Sequence, residues 1–335
     1  MTRASSLPLA LSLVALLSGT AMADAPRVVA SIKPVHALVA AVMGDLGTPA
    51  LLVSGGASPH TYSLKPSDAR ALQEANLVFW TGHGLELFLA DSLQTLAPGA
   101  THVELADAPG LQLLPVRAGG MFEGHDHGDH AEDEAEGHDH EGHDQEGHDD
   151  HHDQTHEEHD AHGDDAADMH FFLDPANAEV MTRAIAEALA TADPEHAATY
   201  AANADAAIAD LEALSAETAA RLAPMAGRPL VVFHDALQYF GNRFALDIVG
   251  SVTVTPELAP GADRISDIRS KLAALDAACV FAEPQFDPRI IDVLVEGSDA
   301  RAGVLDPEGA DLEPGPGLYR ALIESLADGV LDCLN

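Results

Sequence analysis

The feature that most constrains the fold is a regular alternation of short apolar segments with helical segments, which occurs twice along the chain. Short runs rich in Val, Ile, Leu and Phe are typical of strands buried on both faces. When helical segments separate them, the order predicts parallel sheets covered by helices. The predicted strands are 27–32, 49–53, 77–80 and 101–105 in the first half, and 229–233, 248–254, 279–283 and 301–305 in the second.

Between the two halves lies a helical stretch with few helix-breaking residues. An Ala-rich helix is predicted over 177–191, and another begins at Asp193-Pro194 and continues to about Arg221. At about 1.5 Å per residue, the latter is long enough to cross a whole domain. A chain of 335 residues can form two domains, each with its own core. We therefore predict two α/β lobes with parallel sheets, joined by a long rigid helix, over 24–190, 191–225 and 226–335.

The N-terminus has the organisation of a secretory signal peptide. Arg3 is followed by an apolar segment, residues 7–17, that is too short to span a bilayer. Ala21-Met22-Ala23 is a typical cleavage motif. We therefore expect residues 1–23 to be removed from an exported, periplasmic protein. No Cys lies directly after the apolar segment, so no lipid anchor is expected.

Residues 121–165 differ in composition from the rest of the chain, being almost wholly His, Asp, Glu, Gly and Ala. With little apolar surface to bury, such a segment cannot offset the entropy lost on ordering, so we expect a disordered loop in the first lobe. Its neutral imidazoles suit Zn²⁺, Cu²⁺ or Ni²⁺, which favours an auxiliary metal-collecting loop over a merely solvated acidic run. The histidines concerned are His125, His127, His130, His138, His140, His143, His148, His151, His152, His156, His159 and His162.

The formal net charge is −39 at pH 7, and the acidic residues of 121–165 supply about half of it. This charge argues against nucleic acid and against an anionic membrane surface as partners, and it favours cations. No segment after the N-terminal one has the roughly 18 uninterrupted apolar residues of a transmembrane helix.

Three histidines outside the loop, His60, His170 and His234, fall at the ends of predicted strands or the starts of loops. Ligands of parallel α/β sheets bind beyond the carboxyl ends of the strands, so we expect these three to meet in the cleft between the lobes. Three neutral imidazoles and one oxygen make a good tetrahedral zinc site. The oxygen is predicted to come from Asp306, which follows a strand, or from water. The remaining histidines are interpreted as structural: His36, His83, His102 and His196.

The chain has two cysteines, Cys279 and Cys333. Export permits a disulfide, and two cysteines allow only one pairing. Such a bond would tie the C-terminal helix to an inner strand; the alternative is two buried free thiols.

Four segments carry a resemblance to a known family. They are residues 30–36 (ASIKPVH), 55–68 (GGASPHTYSLKPSD), 233–236 (FHDA) and 281–286 (FAEPQF). They resemble the ZnuA family, the zinc-specific periplasmic solute-binding proteins of bacterial ABC importers, and the likeness covers the whole mature chain. It implies Zn²⁺ in a cleft between two lobes bridged by a rigid helix, held by His60, His170 and His234. It also implies a Cys279–Cys333 disulfide and a His-rich loop where this one lies.

The same resemblance implies partners and a specificity. An ABC permease and its ATPase are the expected partners, a periplasmic zinc metallochaperone is a further candidate, and the chain is expected to be a monomer. Manganese-binding relatives have a carboxylate where this chain has His234, and an all-imidazole set favours zinc. Some zinc relatives have an acidic residue where this chain has Pro59, which leaves Asp306 or water as the fourth ligand.

The favoured function is zinc capture and delivery to a permease, without catalysis, with the His-rich loop collecting zinc or sensing its abundance. A zinc hydrolase is the first alternative, because three histidines and a water resemble a catalytic site. The sequence has no H-E-x-x-H or G-x-S-x-G motif, however, which argues against an enzyme. The second alternative is a zinc buffer or adhesin in which the loop is the working part.

Overall fold

A computed structural model describes residues 25–117, 122, 167–253, 261–275, 278–286 and 289–335. Within these ranges the first lobe contains a parallel sheet with strand order β2-β1-β3-β4. The central strands β1 and β3 are buried along their whole length, as expected for a sheet covered on both faces. The strands are β1 (Val28–Ala30), β2 (Ala50–Leu51), β3 (Leu77–Trp80) and β4 (Thr101–Glu104), and the connecting helices are α1 (Lys33–Met43), α2 (Pro66–Glu74) and α3 (Leu87–Leu96).

The second lobe repeats this topology, as predicted. Its parallel strands lie in the order β6-β5-β7-β8, so each sheet begins with its second strand and continues with its first, third and fourth. The elements are β5 (Pro229–Val232), β6 (Asp247–Ser251), β7 (Cys279–Ala282) and β8 (Arg301–Val304), with helices α6 (Gln238–Phe244), α7 (Ala262–Leu275) and α8 (Arg289–Val295).

Three long helices lie between the two sheets: α4 (Pro175–Ala192), α5 (Ala197–Leu222) and α9 (Leu318–Leu334). The predicted long helix is confirmed as α5, whose 26 residues span about 39 Å. It packs against α4, α1 and α9, so it contacts helices from both ends of the chain.

The hydrophobic core differs from the expectation of one separate core per lobe. The main cluster runs through both lobes and includes Val39 of α1, Leu211 of α5 and Phe240 of α6. Two smaller clusters lie apart from it, one around Trp80 in the first lobe and one around Phe233 in the second. The main cluster also includes residues of α4, α5 and α9, so these helices and both sheets belong to one core.

Two helices of the first lobe begin with a proline in the first turn. Helix α1 begins at Lys33, and Pro34 is tolerated there because the N–H groups of a first turn lack helical partners. Helix α2 begins at Pro66, with Lys65 at its N-cap. The backbone N–H of Lys65 donates to the carboxylate of Asp68 at 2.8 Å, which closes the first turn.

The predicted disulfide is present and joins Cys279 of β7 to Cys333 of α9, with Cα atoms 6.2 Å apart. Strand β7 lies between β5 and β8, so the bond ties the last helix to an inner strand of the second sheet.

Across the described ranges, the structure has no helix of the length and apolarity that a membrane crossing would require.

Candidate metal centre

The structure brings His60, His170 and His234 together between the two sheets. Ring centroids of the three imidazoles are separated by 5.5 Å (His60–His170), 5.6 Å (His60–His234) and 5.2 Å (His170–His234). One ring nitrogen of each lies within 4.8 Å of those of the other two. Two of the residues precede α5 and the third follows it, so the cluster spans both lobes.

Each histidine is positioned by the segment that carries it. His234 follows the carboxyl end of β5, where the sheet places ligand-binding residues. His60 lies in the loop after β2, and its backbone N–H donates to Ser58 Oγ at 3.3 Å. His170 immediately precedes a short 3-10 helix, Phe171–Leu173.

The segment that carries His170 is held by tyrosines from the second lobe. Tyr239 of α6 donates its hydroxyl hydrogen to the carbonyl of Asp168 at 2.7 Å. Tyr319 of α9 does the same to the carbonyl of Phe172 at 2.7 Å. The position of His170 therefore depends on helices that are distant in sequence.

Carboxylates set the orientation of two of the imidazoles. Asp168 Oδ1 accepts from His170 Nδ1 at 2.8 Å, and Glu283 Oε1 accepts from His234 Nδ1 at 2.6 Å. Because each carboxylate accepts a hydrogen from Nδ1, each Nε2 keeps its lone pair, as in carboxylate–histidine–zinc arrangements. The two Nε2 atoms are 3.4 Å apart.

This separation fits a tetrahedral metal. Zinc–nitrogen bonds of about 2.0–2.1 Å place the ligand nitrogens of a tetrahedron about 3.4 Å apart. The donor set also fits, since neutral imidazoles are zinc ligands of the usual kind.

The surroundings shift the pKa values of His60 and His234 in opposite directions. Burial and the neighbouring His170 and His234 lower the pKa of His60 to about 2, so His60 is neutral at physiological pH. Burial also lowers the pKa of His234, but the charge of Glu283 and its hydrogen bond outweigh burial, and the net pKa is raised from 6.5.

The cluster faces two cavities. One, of about 170 Å³, is lined on the insert side by Arg117, Phe122 and Met169. The other, of about 10 Å³, separates His60 and His234 from Gln285 and Glu308. Arg117 also crosses between the lobes, because its guanidinium forms a bidentate ion pair with Asp235.

Asp306, the predicted fourth ligand, is not part of the cluster found among the described residues. Its Oδ1 accepts from the backbone N–H groups of Glu308 at 3.1 Å and Gly309 at 3.0 Å, and its Oδ2 accepts from that of Ala310. Gln285 Nε2 donates to Oδ1 as well, at 2.8 Å. The arrangement does not support Asp306 as a ligand, because the carboxylate organises the turn that follows it.

The other described histidines have local partners, in line with the structural interpretation. His36 Nε2 and His102 Nε2 lie 3.1 Å and 2.8 Å from the carbonyls of Pro49 and Ala97. His196 Nδ1 lies 2.7 Å from Asp193. His83 is exposed and lies beside Glu104.

Two residues that the sequence reasoning missed are Asp168 and Glu283. Glu283 directly follows β7, so the rule used for His234 could have indicated it. Asp168 lies two residues before His170, and this spacing gives no comparable signal in the sequence.

The predictions for residues 1–23 and for the histidines between 125 and 162 concern parts of the chain outside the described residues.

Comparison with known proteins decides the family. The model of the family described as "Zinc-uptake complex component A periplasmic" matches residues 28–333. The chain belongs to the ZnuA family. It is 47% identical over 331 residues to the high-affinity zinc uptake system protein ZnuA of Brucella suis, with 98% of each chain covered. It is 40% identical over 340 residues to the ZnuA of Paracoccus denitrificans, covering 100% of this chain and 99% of that protein.

Solved structures of other proteins share the fold of this chain. A crystal structure of ZnuA superposes with a TM-score of 0.71 at 23% identity, covering 93% of this chain and 100% of the other. The solute-binding protein FpvC of Pseudomonas aeruginosa, solved with Mn²⁺, gives a TM-score of 0.72 at 20% identity, covering 92% and 98%. Membership of the ZnuA family makes this chain a periplasmic zinc-binding component of an ABC importer, not an enzyme.

Proposed function

We propose that this chain captures Zn²⁺ in the periplasm through His60, His170 and His234 and delivers it to the permease of the importer. The observation that carries the assignment is the convergence of three imidazole nitrogens within 4.8 Å of one another. A site shared by the lobes suits a carrier, because binding and release of the ion can be coupled to small changes in the position of one lobe against the other.

Zinc is the cargo that this donor set favours. Imidazole is a borderline-soft ligand that suits zinc, whereas manganese prefers carboxylate and carbonyl oxygens. The hydrogen bonds from Nδ1 to Asp168 and Glu283 leave Nε2 free to bind, so two of the three ligands are pre-oriented.

The importer supplies a permease and an ATPase as partners. We further propose that the chain acts as a monomer, that a periplasmic metallochaperone exchanges zinc with it, and that cleavage after Ala23 leaves no lipid anchor. The histidines of 121–165 would collect zinc for the cleft. The proposed lobes are residues 24–190 and 226–335, and residues 191–225 form the helix that links them. Each of the two lobes contains one sheet.

Competition of the full chain with a chromophoric zinc chelator tests the site. The His60→Ala/His170→Ala/His234→Ala variant should lose the tightest site, and His83→Ala, at an exposed histidine, should keep it. A variant lacking residues 123–166 should also keep it. Loss of tight binding with the insert, together with its retention in the triple variant, would overturn the cleft assignment.

Delivery is tested in vesicles that contain the permease and its ATPase. The zinc-loaded chain should stimulate ATP hydrolysis, and the triple histidine variant, supplied with the same zinc, should not.

A further inference from the structure

We infer that Lys33 is a positioning residue for zinc, because its ammonium group holds a turn of the second lobe, residues 306–312, against the first lobe. The turn in turn keeps the loop that carries His60 beside the other two imidazoles, and this slows release of the ion. The inference rests on the proposed zinc site at His60, His170 and His234, and it adds a residue outside the set of ligands.

Lys33 is a buried cation at the boundary between the lobes. It is the first residue of α1 and is only 4% exposed. Its ammonium group donates to the carbonyls of Gly309 at 2.7 Å, Ala310 at 2.6 Å and Leu312 at 3.1 Å. An ammonium group has three hydrogens, so the 306–312 turn uses every donor of this side chain. A residue of the first lobe is therefore attached to a segment that follows β8 in the second.

The charge of Lys33 adds to this attachment. Burial lowers the pKa of Lys33, and the carboxylates that oppose the shift all belong to the second lobe, namely Asp306, Asp311, Glu313 and Glu308. A buried charge is costly unless groups of opposite charge and hydrogen-bond partners compensate it. The ammonium group is thus stabilised by the other lobe, and the two lobes attract each other at this point.

The second lobe fixes the turn from its other side. The carboxylate of Asp306 accepts from backbone N–H groups of the turn, and Gln285 Nε2 donates to it at 2.8 Å. Gln285 lies two residues after Glu283, which accepts a hydrogen from Nδ1 of His234. The turn is therefore joined both to Lys33 and to the segment that orients His234.

The turn also packs against the loop of His60. A methyl group at Gly56 would lie 3.8 Å from Cβ of Ala310, an ordinary van der Waals distance, so the loop and the turn are in close contact. Pro307 of the turn lines the cavity of about 10 Å³ together with Pro59 and His60. The segment that Lys33 holds is thus a wall against which the His60 loop rests.

His60 is the imidazole that most depends on such a wall. Carboxylates orient the rings of His170 and His234. Among the described residues His60 has no carboxylate partner of this kind, and its backbone N–H bonds to Ser58 within its own loop. The place of His60 in the cluster is therefore set by the packing of its loop. If the turn is released, His60 can withdraw from the ion while the other two ligands stay oriented.

Release of zinc from the loaded full chain into an excess of a chromophoric chelator, followed by stopped flow, tests the inference. Lys33→Met keeps a long side chain but removes the charge and the donors, and Lys65→Met, at an exposed lysine of the same lobe, is the matched control. Loss of a group that positions a ligand costs about 10–100-fold in metal affinity, so Lys33→Met should release zinc at least about tenfold faster than the wild type. Lys65→Met should release it at the wild-type rate.

A double-mutant cycle shows whether Lys33 acts through His60. Chelator competition measures the effect of Lys33→Met on zinc affinity in the wild type and in the His60→Ala and His170→Ala backgrounds. Without His60 there is no ligand for the turn to position, so Lys33→Met should change affinity little in His60→Ala. In His170→Ala it should still weaken binding by about tenfold or more. Similar losses in both backgrounds would show a general structural role and would overturn the inference.

The remaining outcomes are distinct. If the wild type has no tight zinc site, the proposed function itself fails. If the wild type binds tightly and Lys33→Met behaves as Lys65→Met does, the zinc site stands and the role of Lys33 is wrong. Should Lys33→Met not fold, a crystal structure of the zinc-loaded wild type decides. The inference requires the ammonium group to stay bonded to the turn, and separation from all three carbonyls contradicts it.

Discussion

At the scale of residues, the candidate site depends on carboxylates as much as on histidines. Asp168 and Glu283 each accept two hydrogen bonds from one histidine, one from Nδ1 and one from the backbone N–H. These contacts fix both the tautomer and the direction of the ring. His60 has no carboxylate partner of this kind among the described residues, so its orientation is the one that metal binding has most freedom to adjust.

Substitution of Glu283 by Gln should weaken zinc binding by about 10–100-fold, because the charge that favours the required tautomer of His234 is lost. Chelator competition measures the change. Glu104→Gln is the matched control, since Glu104 pairs with the exposed His83 and not with a histidine of the cluster. Equal affinities for the two variants would show that Glu283 does not act through His234.

The pH dependence of zinc binding should follow His234 and not His60. The pKa of His60 is lowered to about 2, so its protonation does not compete with zinc near neutral pH. The pKa of His234 is raised from 6.5, so a proton occupies His234 up to a higher pH than it would a free imidazole. Zinc must displace that proton, so affinity should already fall as pH decreases toward 6.5.

Titrations from about pH 5 to about pH 8 test this expectation, since free imidazole titrates near 6.5. In Glu283→Gln the decline should move to lower pH, because the carboxylate that raises the pKa of His234 is neutralised. A flat profile in the wild type would contradict ligation by histidine.

At the scale of elements, one disulfide crosslinks the second sheet to a helix that packs between the lobes. The disulfide joins β7 to α9, and α9 packs on α5 and α1. The bond therefore connects the second lobe to the main core as well as to its own last helix.

The Cys279→Ala/Cys333→Ala variant should lose about 4 kcal/mol of unfolding free energy, from the loop-closure entropy of a crosslink with a sequence separation of 54. Urea unfolding measures this, with reduced wild type as the control. Zinc affinity should stay within the error of the titration, because neither cysteine contacts the histidine cluster. A loss of zinc binding in the folded variant would show that the bond positions the site.

At the scale of the whole molecule, the lobes share one main core. Leu211 of α5 and Tyr319 of α9 are buried in the cluster that also contains residues of both sheets. Ion pairs cross between the lobes too, because Arg243 of α6 binds the carboxylate of Asp174 at the start of α4 with two hydrogen bonds of 2.6 Å and 2.8 Å. We therefore expect the lobes to unfold together.

Scanning calorimetry of the metal-free chain should show a single transition whose van't Hoff and calorimetric enthalpies agree. Leu211→Ala should lower stability by about 2–5 kcal/mol and shift this transition without splitting it. Zinc should raise the transition temperature by mass action. Two resolved transitions would show that the lobes are independent folding units.

Much of this architecture could be predicted because it depends on local pattern. Apolar runs such as 77–80 identified buried strands, and the scarcity of breakers after Pro194 identified α5. His234 could be assigned because it follows a strand whose carboxyl end must lie at the cleft. Asp306 was selected by the same rule, but its carboxylate is taken up by the turn after it. Asp is favoured in turns as well as among metal ligands, so the residue type alone does not distinguish the two roles.

The order of strands and helices, the two-lobed α/β class, the pairing of the two cysteines and the three candidate histidine ligands could be predicted from the sequence alone. Each follows from local periodicity, composition or a single available choice. Three features became visible only in the folded molecule: the lobes share a core, Asp168 and Glu283 orient the rings, and Glu308 and not Asp306 lines the cavity beside them. Those features depend on which side chains of distant segments meet, and such contacts are set by the packing of the whole molecule.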